Sequence, residues 1–196
     1  MLFPTTLWHR LPLLALAGLL GCSSNSNSAD APVAAARAQN EEKIKGADIT
    51  RKQLADADFL VKTASNGLLE QELAKLAQAR ASTVALRAYG PRLLQSRLDA
   101  LGALRTLAAA KQLAVPADMG KNEQTAYHEV AKLVGPALDK QLLETVVRAL
   151  KKDRDAFGDM EKQAYDGDIR AFAARYGQPV RDQLAAAEAT QEAIEK

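Results

Sequence analysis

The sequence predicts an all-α protein, an antiparallel bundle of four long helices behind a secretory leader. Three observations carry that reading. Alanine and leucine dominate, aromatics make up only 5% of the 196 residues and β-branched side chains are sparse, so helix formers outweigh strand formers. Apolar residues recur at steps of three and four over long stretches, the period of a half-buried helix. Glycine and proline cluster between those stretches, where helices end.

The leader comes first. Arg10 is the only charged side chain before Cys22. The apolar stretch from Leu11 to Leu20 falls short of the roughly 20 residues that a bilayer-spanning helix needs. A short basic start, a brief apolar run and a small residue before the cleavage point describe a signal peptide over 1–21. It ends Leu19-Leu20-Gly21-Cys22, the order of a bacterial lipobox, in which the cysteine receives a diacylglyceryl thioether. Cys22 is the only cysteine in the chain, so it has no disulfide partner. A free exported thiol would be a liability, and acylation gives it a use. Each buried methylene contributes about 0.8 kcal/mol and a single chain holds only marginally, so stable anchoring takes two or more. Ser23 resembles the outer-membrane sorting pattern, whereas an aspartate there would favour inner-membrane retention. Residues 22–40 are rich in Ser, Asn, Ala and Pro, with almost no large apolar side chain, and read as the lipidated cysteine and a flexible tether.

Cleavage after Gly21 removes Arg10 and no acid, taking the formal charge from +2 to +1. So balanced a chain lacks the basic stripe of a nucleic-acid binder. Residues 41–196 are the length of one domain, and no fixed-period repeat stands out.

Leu54, Ala57, Val61, Ala64 and Leu68, continued by Leu69, Leu73, Leu76 and Ala77, predict a first long helix over about 48–80. Ser82 or Thr83 can cap a second, carrying Leu86, Leu93, Leu94, Leu98, Leu101, Leu104 and Leu107. Gly90-Pro91 inside it predicts a kink, and Pro116 and Gly120 close it. A short helix spans Asn122 to Val134. Gly135-Pro136 then starts a third long helix to about Tyr165, because proline suits the first helical position. Gly167-Asp168 marks the next turn, and the last helix extends to about Ile194, broken near Gly177-Gln178-Pro179.

Helix bundles build metal sites from inward Glu and Glu-x-x-His pairs. This chain has no Glu-x-x-His, and its one mature histidine, His128 beside Glu129, lies on the short helix and reads as part of a surface pair. No phosphate loop, nucleophile elbow or clustered Cys/His spacing occurs. Three charges fall on the apolar stripes: Glu72 between Leu68 and Leu76, Arg97 between Leu93 and Leu101, and Asp153 between Leu150 and Phe157. A buried unpaired charge is strongly unfavourable, so each must pair or reach solvent.

Asp56–Ser82, Leu86–Leu101, Leu133–Phe157 and Ile169–Leu184 together resemble a bacterial envelope family catalogued as domain of unknown function 4142. That resemblance implies a ferritin-like four-helix fold. It also implies Asp-His pairs where this chain has Ser96-Arg97 and Asp153-Arg154, and a histidine where Gln183 stands, while Glu70 and Glu72 keep the family's glutamates. Arginine cannot coordinate a cation. The expectation is therefore that Arg97 and Arg154 fill the place of metal ligands and pair with Glu72 and Asp153.

The expected function is that of a non-catalytic lipoprotein, a structural or partner-binding module of the outer membrane facing the periplasm. Its expected partners are the membrane, through the lipid on Cys22, and an envelope protein, with no cofactor. A carboxylate-only metal protein and a carrier of an apolar ligand held between kinked helices are the two alternatives.

Overall fold

The computed structural model describes residues 30–195. They form six helices: α1 Ala31–Ile44, α2 Thr50–Arg80, α3 Val84–Ala110, α4 Lys121–Ala131, α5 Gly135–Gln163 and α6 Gly167–Glu195. Among the described residues there is no strand, and no helix is long and apolar enough to cross a membrane. The expected signal peptide and Cys22 lie outside them.

Side-chain fastenings fix the direction of the long helices. Asp56, near the start of α2, accepts the backbone N–H groups of Tyr165 and Asp166 just beyond α5. Asp139, near the start of α5, accepts those of Ser82 and Thr83 just beyond α2. The two helices therefore run antiparallel. So do α3 and α6: the hydroxyl of Tyr89, early in α3, donates to the carbonyl of Gln183, late in α6. At the other end Lys111, just past α3, pairs with Asp166 and Asp168 at the start of α6. Packing runs in a ring, α2 on α3, α3 on α6, α6 on α5 and α5 back on α2. α3 and α5 point the same way, so the segment 111–134, with α4 inside it, crosses the length of the molecule to join them.

The core follows the predicted stripes. Leu73, Leu86, Leu93, Leu104, Leu138, Leu142 and Leu150 are fully buried. Phe59 meets Phe157 edge-on at 5.2 Å, and Phe172 bridges to Tyr176 at 4.9 Å. Leu98, one of the expected core leucines, is 45% exposed.

The flexible tether expected over 22–40 is corrected from residue 31 onward, where the chain is helical. Pro32 fits the first turn of α1, and Val33, Ala36, Asn40 and Ile44, spaced by three and four, are buried. The stripe is easy to overlook because its members are small or polar. Asn40 replaces apolar area with two hydrogen bonds, donating to the Ala114 carbonyl at 2.9 Å and accepting the Ala114 N–H at 2.7 Å.

One further expectation changes. α6 is one helix through Gly177 and Pro179, not two, since buried Ala173 and Val180 hold it on both sides of the proline. α3, as expected a single helix, passes through Gly90-Pro91. There the glycine serves close packing: a Cβ on Gly90 would lie 2.8 Å from the Ala74 carbonyl oxygen and 3.0 Å from the Gln78 nitrogen of α2.

A repeat, not apparent in the letters, emerges from the fastenings. Arg87 donates to the Ala81 carbonyl, and Arg170 donates to the Ala164 carbonyl. Asp56 and Asp139 grip the opposite hairpin turns reciprocally. The interval is the same 83 residues each time, 56 to 139, 81 to 164 and 87 to 170. Hairpins α2–α3 and α5–α6 are thus built on one plan and packed about an approximate two-fold axis.

Candidate functional site

The same interval joins Glu70 on α2 to Asp153 on α5. Both are buried, and between them lies Arg97 from α3, 2% exposed. Its Nη1 donates to Glu70 Oε2 at 3.0 Å and to Asp153 Oδ2 at 3.4 Å, while Nη2 donates to Ser96 Oγ at 3.2 Å. Asn66, one turn before Glu70, donates from Nδ2 to Asp153 Oδ1 at 2.7 Å and to the Ala149 carbonyl at 3.1 Å. Glu70 Oε1 and Arg97 Nε, both buried, have no partner. The residue 83 positions after Arg97 is Val180, fully buried. One guanidinium therefore serves two carboxylates that the repeat makes equivalent.

Electrostatics follow from that count. Burial and then the Asp153 charge push the Glu70 carboxyl up to about 8 against the pull of Arg97. Burial also raises Asp153, to about 6, opposed by Arg97 and by the Asn66 hydrogen bond. Both carboxyls are thus pushed toward holding a proton, Glu70 more than Asp153, and a single proton on the pair would balance the one charge of Arg97. The Tyr89 phenol is raised as well, by burial and then by Glu70.

The expected ion pairs are placed unevenly. Arg97 and Asp153 meet as expected. Glu72 does not join them: it is 35% exposed by side chain and pairs with Lys75 on its own helix. Two residues are about 200° of helical rotation, so Glu70 faces inward with Asn66 and Leu73 while Glu72 turns away. Arg154 follows Asp153 by one position, about 100° around, and pairs on the outside with Asp155. Gln183 sits beside Tyr89 through its carbonyl, with its own Oε1 buried and unpaired. His128 and Glu129 are exposed on α4, with the His128 ring 5.7 Å from Tyr127.

Stripe reasoning missed Asn66, and Glu70 was reached only through the family resemblance; the 83-residue interval that links Glu70 to Asp153 shows once the hydrogen bonds are placed. It also missed Glu123 of α4, which accepts the Ser65 hydroxyl at 3.0 Å and pairs with Lys152. These residues line a polar cleft of about 390 Å³ between α1, α2, α4 and α5, and its lining includes Asn66 and Asp153.

Among the described residues no three His, Cys, Asp or Glu side chains are grouped to hold a metal ion. The donor set at the centre is chemically unsuited to one, because a guanidinium stays protonated and has no lone pair to offer. A family model described as domain of unknown function (DUF4142) matches residues 31–190, beginning with α1 and ending within α6. No curated protein and no solved structure matches the chain.

Proposed function

The chain belongs to the DUF4142 family, and on that footing we propose that it is a non-catalytic lipoprotein, moored through acylated Cys22 to the outer membrane and binding an envelope protein on its periplasmic side. One observation carries the reading: Arg97 stands between the carboxylates of α2 and α5. Ferritin-like bundles place metal-binding Glu and Glu-x-x-His there and join their helices with one long crossover. The antiparallel ring of α2, α3, α6 and α5, with the single long connection over 111–134, supports a ferritin-like four-helix bundle. Bends at Pro91 and Pro179 belong to the same reading. The central residues then fasten helices instead of binding metal.

The mooring is short in this reading. Eight residues, 22–29, precede Ala31–Ile44 and Asp30, which is a reach of at most about 28 Å. The start of α1 is then held within that distance of the lipid. Metabolic labelling with a fatty acid, followed by fractionation, tests this. Full-length protein is expected to carry label and sediment with the outer membrane, and Cys22→Ser to lose the label and leave the outer-membrane fraction. Unlabelled wild type in the soluble fraction would overturn the anchoring. Crosslinking of the lipidated form in intact cells identifies the partner.

A further inference from the structure

The core cluster is one positive charge short, and what makes up the difference gives it a second property. Glu70 and Asp153 share a single nitrogen of Arg97. Glu70 Oε1, on a side chain with no exposure, meets no donor or acceptor. A free carboxylate oxygen at that depth is costly, whereas a carboxylic acid hydroxyl carries no charge. Asp153, across the shared guanidinium, also lines the polar cleft and so connects the cluster to water.

We propose that this cluster is a proton-operated latch across the α2–α5 seam: one proton held by the Glu70–Asp153 pair keeps the seam shut, and its release through the cleft loosens it. The latch depends on neither the lipid anchor nor a partner.

The charges that face the cluster come from each element packed around it. α2 supplies Glu70 itself, with Asn66 neutral. α3 supplies Arg97 and the Tyr89 phenol, with Arg92 acting on the phenol. α5 supplies Asp153 and, at the cleft, Lys152. α4 brings Glu123 to Lys152 and Ser65. α1 brings Asp30 and Arg37 to the cleft wall, where Arg37 is already paired with Asp58. α6 reaches the region through Gln183, an acceptor for Tyr89. None of these matches the second carboxylate with a second cation.

The direction in pH follows from linkage. Glu70 is raised in the folded chain from an ordinary 4.5 to about 8, so the latch is fully engaged below 4.5 and is lost as pH rises through about 8. Asp153 adds to the same loss up to about 6. One proton released on opening changes the opening constant about tenfold per pH unit.

Hydrogen exchange on the full chain reads this directly. After correction for intrinsic rates, amides of α2 and α5 around residues 66–70 and 149–153 are expected to open about 100-fold more often at pH 7.5 than at pH 5.5. In Glu70→Gln the ratio is expected to fall within a few-fold. The wild-type profile is expected to be the same in sodium, potassium and choline salts. A flat wild-type profile, a slope retained in Glu70→Gln, or a slope that depends on the cation would overturn the latch. Should Glu70→Gln fail to fold, carboxyl-carbon NMR of the wild type decides alone: Glu70 titrating near 4.5 contradicts the proposal, and titration well above 6 supports it.

Discussion

Arg97→Met will destabilise the chain by about 3–5 kcal/mol at neutral pH. The side chain is 2% exposed and, among the described residues, is the only cation paired with Glu70 and Asp153 in the core. Methionine fills much of its volume, so the loss is electrostatic rather than a cavity. Two carboxylates are left facing each other with the Asn66 amide as their remaining polar support. The chain answers by protonating both, so the penalty should shrink in acid and grow as pH rises. A triple variant separates the pair energy from simple misfolding. Arg97→Met combined with Glu70→Gln and Asp153→Asn removes every charge and should recover most of the loss. Urea unfolding followed by helical circular dichroism measures both. A loss below about 1 kcal/mol, or no recovery in the triple variant, would show that the cluster does not hold the helices.

Asp139→Ala should cost about 2–3 kcal/mol, and Asp56→Ala a comparable amount. Asp139 accepts the Ser82 N–H, the Ser82 hydroxyl and the Thr83 N–H, each at 2.8 Å, so one carboxylate closes the turn that leads into α3. Asp56 accepts Tyr165 at 3.1 Å and Asp166 at 2.7 Å and closes the turn into α6. Removing either leaves backbone donors of a tight turn without a partner. The two sites lie at opposite ends of helices about 40 Å long, so the double variant should lose the sum of the two. Strong non-additivity would deny that the hairpins are fastened independently. Burial opposes ionisation of Asp139, but the Ser82 and Thr83 hydrogen bonds outweigh it and hold the carboxyl below its usual range. Its folded value is depressed, so its contribution is present above about 3.8 and disappears as pH falls further. Combined with the opposite slope from Glu70, this places maximum stability in mildly acidic solution.

Much of this architecture was legible from the letters. The stripes of leucine and alanine located α2, α3, α5 and α6, and Gly135-Pro136 and Gly167 marked where two of them begin. Arg97 and Asp153 were legible as charges on apolar stripes, because a charge flanked at three and four residues by leucine has few places to go. Glu72 misled for a geometric reason: Leu68 is only partly buried, and the buried arc of α2 runs through Asn66, Glu70 and Leu73, with Glu70 about 200° around the helix from Glu72. Helix α1 was hidden because its inward face includes the small Val33 and Ala36, which bury little area, and the polar Asn40, which relies on hydrogen bonds to Ala114. The repeat was hidden because many of its equivalent positions keep chemical type and not identity, as in Glu70 and Asp153, Leu86 and Ile169, or Tyr89 and Phe172, and the identical ones, such as Asp56 and Asp139, are scattered among them. Val180 opposite Arg97 breaks the correspondence at the one place where a charge matters.

The measurement closest to the centre is the metal content of full-length protein purified without added metal or chelator. With a guanidinium between the two carboxylates, iron, manganese and zinc should each fall far below one ion per chain and should not change in Glu70→Gln. One or more ions per chain, lost in that variant, would mean that Arg97 swings aside and that Glu70 and Asp153 are ligands.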